Sequence, residues 1–249
     1  MAGHSKWANI KHKKTRTDAQ RGKVFTRISK ELTIAAREGG GDSSANPRLR
    51  LAMQNARAVN MPNDNIVKAI KKGTGEIEGV TYEEIVYEGY APNGVAVLLE
   101  TVTDNKKRTV AEIRSLMSKH GGNLGEAGSV AWNFERKGVI SIATNGKTED
   151  ELMEIVLEAD AEDIEFDEET SLIISSMENF NIANKYFEDN KFNIAESKLE
   201  YIPQNIVNLT DVAIAKKVIK FIDIFEDHDD VQNVFSNFII DDSIADNME

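Results

Sequence analysis

The run "GVISIATNGKTEDELMEIVLEADAEDIEFDEETSLIISSMENFNIANKYFEDNKFNIAESKLEYIP", residues 138–203, switches hydrophobic period repeatedly, and the order of the switches decides the fold. "GVISIA" and "SLIISSM" alternate at the two-residue spacing of strands, and "EDIEFDEE" and "FNIAESKLEYIP" read as strands beside them. "TEDELMEIVLEA" and "ENFNIANKYFEDN" repeat their apolar residues at helical spacing. The series is β-α-β-β-α-β, the split unit of ferredoxin-like folds, which buries one sheet face beneath two helices. Residues 135–204 are therefore expected to form a self-contained inserted domain.

The flanks of this run predict the domain that receives it. "YEEIVYEGYAPNGVAVLLETVT" gives two strands joined by the turn signal "APNG", the second apolar enough to be buried. "DNKKRTVAEIRSLMSKHGG" follows as a helix capped by Asp104 or Asn105 and packed through Val110, Ile113, Leu116 and Met117. "SVAWNFERKG" reads as a further strand. Beyond residue 204, "LTDVAIAKKVIKFIDIFED" gives a long helix and "DVQNVFSNFII" a closing strand that returns to the sheet begun near Glu84. Residues 80–134 and 205–249 thus make one discontinuous α+β domain.

Residues 1–79 read as helices. From Lys23 to Arg37 the residues Val24, Phe25, Ile28, Leu32, Ala35 and Ala36 form a packing face, with Lys23, Arg27, Lys30 and Arg37 on the other side. The glycines of "REGGGDSSANPR" stop that helix, and Asn46 before Pro47 caps a second one running to about Val59. In it Leu49, Ala52, Met53, Ala56 and Val59 are apolar, while Arg50 and Arg57 share an outer face. A third short helix carries Ile66, Val67 and Ile70, and "KKGTGEIEG" is a linker.

Charge divides the chain at the same point. Residues 1–79 hold 16 Lys and Arg against 7 Asp and Glu, a net of +9, while residues 80–249 carry -21 of the overall -12. A cationic module for polyanions is joined to an acidic body that repels them. Lys6, Lys11, Lys13, Lys14, Arg16, Arg21, Lys23 and Arg27 crowd the first helix and the arm before it, with Asp18 the sole acid among them. Lysine offers phosphate a point charge, and arginine a bidentate clamp or a stacking plane. Trp7 and His12 sit inside the run, where a planar ring can stack on an unpaired base; Trp7 has the equal alternative of anchoring the arm on the helices.

Catalytic chemistry finds no foothold, so no catalytic residue, metal or cofactor is expected. There are no cysteines, which excludes thiolate chemistry. His4, His12, His120 and His228 are scattered without the spacing that pairs two ligands on one helix face. "EGGGDSS" lacks the Gly-Lys-Ser/Thr of a phosphate loop, and the run of Glu165, Asp167, Glu168 and Glu169 lacks the alternation and central glycine of a calcium loop. No apolar run reaches membrane-spanning length and none follows Met1 as a secretory signal requires, so a cytoplasmic protein is expected.

Five blocks in one order, "MAGHSKWANIKHKK", "DAQRGKVFTRISKELTIAAREGGGD", "NPRLRLAMQNARAVNMPNDNI", "EGYAPNGVAVLLETVTDNKKRTVAEIRS" and "FERKGVI", resemble the YebC/PmpR family, densely to about residue 140 and loosely after it. The resemblance implies an α+β fold with a helical N-terminal domain followed by two α+β, ferredoxin-like domains, the third inserted into the second. It further implies a gene-expression regulator: bacterial relatives are described as transcriptional regulators, mitochondrial ones as translational activators of a cytochrome oxidase subunit. Motif positions carried over are Gly3, His4, Ser5, Lys6, Trp7, Lys11, Lys13, Lys14, Arg21 and Lys23, with Asp104, Asn105, Arg108 and Thr109 at a helix start; Gln20 stands where the pattern has a basic or small residue.

The expected function is a non-enzymatic regulator whose basic domain binds nucleic acid through Lys6, Trp7, Lys11, His12, Lys13, Lys14, Arg16, Arg21, Lys23, Arg27, Arg50, Arg57 and Arg108. Ribosomal RNA is favoured as the target, because a Lys-rich arm with one tryptophan suits irregular RNA at least as well as a major groove and no helix-turn-helix spacing is visible. The ribosome is then the partner, with basic ribosomal proteins met through the acidic domains. A DNA-binding transcriptional regulator is the alternative.

Overall fold

A computed structural model describes residues 18–245, and these divide into two compact units. One contains the helices up to Val80 together with Arg136–Glu200; the other contains Thr81–Glu135 and the residues from Tyr201 onward. The architecture is α+β: a helical beginning is followed by two four-stranded sheets built on antiparallel pairs and one two-stranded parallel pair. Among the described residues no helix is long and apolar enough to cross a membrane.

The helical part opens with α1 (Asp18–Gly39), α2 (Pro47–Ala58) and α3 (Asn63–Gly73). Leu32, Ala35 and Ala36 of α1 meet Leu49, Ala52 and Ala56 of α2 and Ile66 and Ala69 of α3 in a closed apolar cluster. Small residues set the approach of α3 to α1: a Cβ added to Gly73 would lie 2.3 Å from the Thr33 carbonyl and 2.8 Å from the Ala36 methyl. Two expectations are corrected here. Val67 is exposed and Ala69 takes the buried position, while Lys30, expected on the outer face, is buried.

Asn46 fixes the elbow between α1 and α2. Its Oδ1 accepts the Leu49 N–H at 3.0 Å, and its Nδ2 donates to the Ala35 and Gly40 carbonyls at 2.7 and 2.9 Å. One buried amide therefore caps the start of α2 and closes the end of α1. Asn46→Ala is expected to lower stability by about 2 kcal/mol, read from urea unfolding, because a cap and two further bonds are lost together.

In the same unit, β4 (Phe134–Ala143), α5 (Glu149–Glu158), β5 (Asp163–Glu165), β6 (Thr170–Ser175), α6 (Phe180–Asp189) and β7 (Ile194–Pro203) follow in the expected order. The strands lie β5-β6-β4-β7, the order of a ferredoxin-like sheet. Ile140, Ile142 and Ile173 from the sheet pack against Leu152 and Val156 of α5 and Ala183 and Phe187 of α6. Thr148 and Glu151 form a reciprocal capping box that starts α5. Leu51 of α2 packs against this core, and Asn55 donates to the Ser197 carbonyl at 3.4 Å. The strand expected from Glu162 to Glu169 ends at Glu165, because Asp167 turns the chain by accepting the Glu169 and Thr170 N–H groups.

The second unit is built on β1 (Glu83–Tyr90) and β2 (Ala96–Thr103), antiparallel and joined by a turn whose Asn93 and Gly94 both have positive φ. The sheet order is β3-β1-β2-β9, with β3 at Asn123–Leu124 and β9 at Val231–Ser236. Val97 and Leu99 of β2 face α4 (Lys106–Lys119) and α7 (Val212–Glu226) through Ile113, Met117, Val218, Phe221 and Phe225. Ala96 and Leu98 point the other way, into Val130, Phe134 and Phe235. Burial on both faces is why β2 reads as a continuous apolar run.

Two strands differ from expectation. Ser129–Asn133 form a turn ending in a short 3-10 segment, and strand pairing begins at Phe134 and continues unbroken into "GVISIA". The cause is Glu88, whose carboxylate accepts the N–H groups of Gly128, Val130 and Ala131 at 2.6, 2.8 and 2.8 Å. The closing strand is split by buried Asn237, which exchanges hydrogen bonds with Ala96 and donates to the Asn205 carbonyl. Beyond it β10 (Phe238–Ile240) leaves the first sheet and pairs in parallel with β8 (Val207–Leu209) before α8 (Asp242–Ala245).

Candidate nucleic-acid interface

The helical bundle presents cations because each helix has one face committed to the core and the rest open to water. Arg50 and Arg57, seven positions apart on α2, are both exposed; Arg50 Nη1 lies 3.4 Å from the Ser43 carbonyl, a weak tether on the loop before the helix. Lys23 and Arg27 of α1 are half-buried and engaged with partners inside the protein. The bundle adds Arg37 in the last turn of α1 and Lys68, Lys71 and Lys72 on α3, all exposed. The α3 lysines were missed as site residues, although cations in a helix's last turn are a readable signal. Lys71 and Lys72, in the last turn, favour the helix terminus, and Lys68 is exposed one turn earlier.

Arg48 shows which cation the fold reserves for itself. Its guanidinium clamps Glu31 bidentately at 2.8 and 3.0 Å and meets Glu38 at 2.7 Å, tying α2 to α1. The geometry gives Arg48 an internal role. Lys6, Trp7, Lys11, His12, Lys13, Lys14 and Arg16 lie outside the described residues, as does the side chain of Arg21.

Arg108 belongs to the second unit, where it serves an internal network. Its Nη2 contacts Asp104 Oδ1 at 2.8 Å and Asp230 Oδ2 at 2.9 Å. The hydrogen bonds of Asp230 and Asp104, then their charges, hold the guanidinium more firmly protonated than an ordinary arginine. The Thr109 hydroxyl also reaches Asp230 Oδ2 at 2.7 Å, and Asn105 Oδ1 accepts the Arg108 N–H at 3.2 Å as the helix cap. Asp104, Asn105, Arg108 and Thr109 together pin the start of α4 to Asp230, a buried acid on the loop before β9. A phosphate at Arg108 would compete with two carboxylates.

Asp230 also joins a group the sequence did not reveal, with Glu112 and His228, whose ligand atoms lie within 4.8 Å of one another. Hydrogen bonds within the protein already account for the contacts: His228 Nδ1 accepts the Asp230 N–H at 3.1 Å, and Nε2 faces Glu112 at 3.2 Å. The trio extends the Arg108 network across the unit. Burial raises the phenols of Tyr82 and Tyr87 above the usual tyrosine value, followed by the charges of Asp104 and Asp230 at Tyr82 and of Asp230 and Glu83 at Tyr87.

The sequence and the fold both have counterparts among known proteins. Residues 5–76 match the family model described as the TACO1/YebC protein N-terminal domain, and residues 82–238 match the one described as the TACO1/YebC second and third domain. A "Probable transcriptional regulatory protein" of Syntrophomonas wolfei is 55% identical, with 98% of each chain covered. One of the same name from Halothermothrix orenii is 53% identical over 98% of this chain and 97% of its own. The crystal structure of a conserved hypothetical protein from Aquifex aeolicus superposes with a TM-score of 0.88 at 44% identity, covering 96% of this chain and 98% of that one. Matched in order along most of its length, the chain belongs to the TACO1/YebC family.

Proposed function

We propose that this protein is a non-enzymatic gene-expression regulator that holds nucleic acid through its basic N-terminal module, residues 1–79, with ribosomal RNA as the favoured target. The observation that carries the reading is the charge division, +9 in the module against -21 in the remainder. A polyanion is drawn to one part of the chain and repelled by the rest. The basic run of Lys6, Lys11, Lys13, Lys14, Arg16, Arg21, Lys23 and Arg27 in the sequence is joined in this reading by Arg50 and Arg57, which are exposed on α2. The acidic domains, 80–134 with 205–249 and the insertion 135–204, then face basic proteins of the ribosome and stay clear of its RNA.

A second reading is a DNA-binding transcriptional regulator, favoured by the printed names of the relatives. Binding measured against salt separates contact types within either reading. Replacing Arg50 and Arg57 by Ala is expected to reduce the slope of log affinity against log salt by about 1 to 2 units, since each phosphate contact contributes roughly 0.7 to 0.9. Trp7→Ala, by contrast, is expected to leave the slope unchanged and to weaken looped RNA by about 1 to 3 kcal/mol if the ring stacks on a base. An unchanged slope for the arginine pair would remove α2 from the interface. Tighter binding to duplex DNA than to structured RNA across the salt range would favour the second reading.

A further inference from the structure

The net charge of the second unit conceals how that charge is laid out. Residues 81–135 and 201–249 hold 8 Lys and Arg against 18 Asp and Glu, a net of -10. All eight cations lie on two helices, five on α4 and three on α7, whose own acids are Glu112, Asp223 and Glu226. The two helices together are +5, and the strands and loops around them are -15. Both helices cover one sheet face, since Ile113 and Met117 of α4 share a core with Val97, Leu99, Val218 and Phe221. A Cβ added to Gly122, just past α4, would lie 2.6 Å from the Phe221 ring, so the chain leaving α4 is held close against α7. The outer faces of the two helices belong to one layer, and that layer is cationic.

Its cations are of two kinds. Lys106 and Arg108 pair with Glu83, Asp104 and Asp230. Lys107, Arg114, Lys119, Lys216, Lys217 and Lys220 are exposed, and among the described residues no carboxylate is paired with any of them. The acids of the layer are engaged: Glu112 faces His228, and Asp223 and Glu226 are half-buried with partners of their own. Lys216 and Lys220 stand one turn apart on α7 with Lys217 beside them, and Lys107 and Arg114 two turns apart on α4, rises of about 6 and 10 Å. Small exposed residues are interspersed, Ala111, Ser115 and Ser118 on α4 and Ala213 on α7. No large apolar side chain of either helix is exposed. A protein partner would find no anchor there, whereas a phosphodiester chain needs spaced cations and room to approach.

We propose that the outer layer of α4 and α7, centred on Lys216, Lys217 and Lys220, is a second contact surface for the phosphate backbone of nucleic acid. Lysine point charges on regular helices suit phosphates and carry no base readout, so the surface adds grip without adding sequence preference. Tethered to the N-terminal module in one chain, even weak contacts there raise overall affinity. The proposal rests on the reading of the chain as a nucleic-acid binder, and it confines the RNA-avoiding part of the second unit to its strands and loops.

The test is binding of a labelled RNA hairpin to the full chain over a salt series. Replacing Lys216, Lys217 and Lys220 together by Gln is expected to weaken binding about tenfold near physiological salt and to reduce the slope of log affinity against log salt by about 2 units. Replacing the same three by Arg is expected to preserve both, because the charges remain. Replacing Lys147, Lys185 and Lys191 of the inserted domain by Gln removes the same charge elsewhere and is expected to change neither. Should the α7 Gln variant fold poorly, crosslinking of a 4-thiouridine-substituted hairpin to the natural chain decides, with α7 peptides expected among the crosslinked ones. Parental affinity and slope in a folded α7 Gln variant would overturn the proposal and leave the functional reading standing. Equal losses in the α7 and inserted-domain variants would overturn it too, by reducing the effect to net charge. Loss of polyglutamate binding in the α7 variant without loss of RNA binding would give the surface to an acidic polypeptide instead. A parent chain that binds neither the hairpin nor a DNA duplex would sink the functional reading and this surface with it.

Discussion

Reversing Lys13, Lys14 and Arg21 to Glu is expected to lower affinity for structured RNA at physiological salt by roughly 100-fold or more. Three attractive charges are lost and three repulsive ones replace them in the segment that carries the densest positive charge of the chain. The salt dependence is expected to flatten by about 2 to 3 units, one contact's share for each residue changed. All three are charged side chains of a strongly basic segment, not apolar core residues, so thermal unfolding is expected to match the parent. Anisotropy titrations of a labelled RNA hairpin over a salt series measure both quantities. A variant that retained parental affinity would move the interface off the arm altogether.

Glu88→Ala is expected to have the largest effect on stability among the substitutions considered, a loss of about 3 kcal/mol. The carboxylate is buried to 9% exposure and satisfies three backbone N–H groups that face no other acceptor in the turn. Truncation leaves those donors unpaired beside the apolar cluster of Leu98, Val130 and Phe134. Glu88→Gln keeps the shape and one oxygen, so its loss is expected to be smaller. Burial alone would raise the Glu88 carboxyl, but the three N–H groups outweigh it and hold the carboxyl below its ordinary value of 4.5. The stability it supplies is therefore complete above about pH 4.5 and is lost as pH falls through the lower, folded-state value. Urea midpoints of parent and Glu88→Gln measured down the acid range are expected to converge; parallel curves would contradict this role for the carboxylate.

Local signals carried the sequence reading where the determining contacts are local. The Asn46-Pro47 start of α2, the Asn93-Gly94 hairpin turn and the capping residue Asn105 all act within a few positions of themselves. The alternation of Val130, Trp132 and Phe134 imitates a strand, and only Glu88, some 40 residues upstream, makes that stretch a turn. Asn237 ends β9 through bonds to Ala96 and Asn205, neither of which is near it in sequence. The same limit applies to the site. The exposure of Arg50 and Arg57 was legible because helical spacing places them outside the core. The partner of Arg108 was not, because Asp230 lies 122 positions away. The packing of Leu51 against the ferredoxin-like core was hidden for the same reason, since a leucine on a helix reads only as apolar.

The central claim is that the basic module delivers this chain to ribosomal RNA, and sedimentation of DNase-treated cell extract tests it most directly. The protein is expected to travel with ribosomal particles at low salt, to leave them as salt rises, and to remain at the top of the gradient when Lys13, Lys14 and Arg21 are reversed to Glu. Absence from every ribosomal fraction, together with a discrete footprint on promoter DNA at physiological salt, would contradict the account.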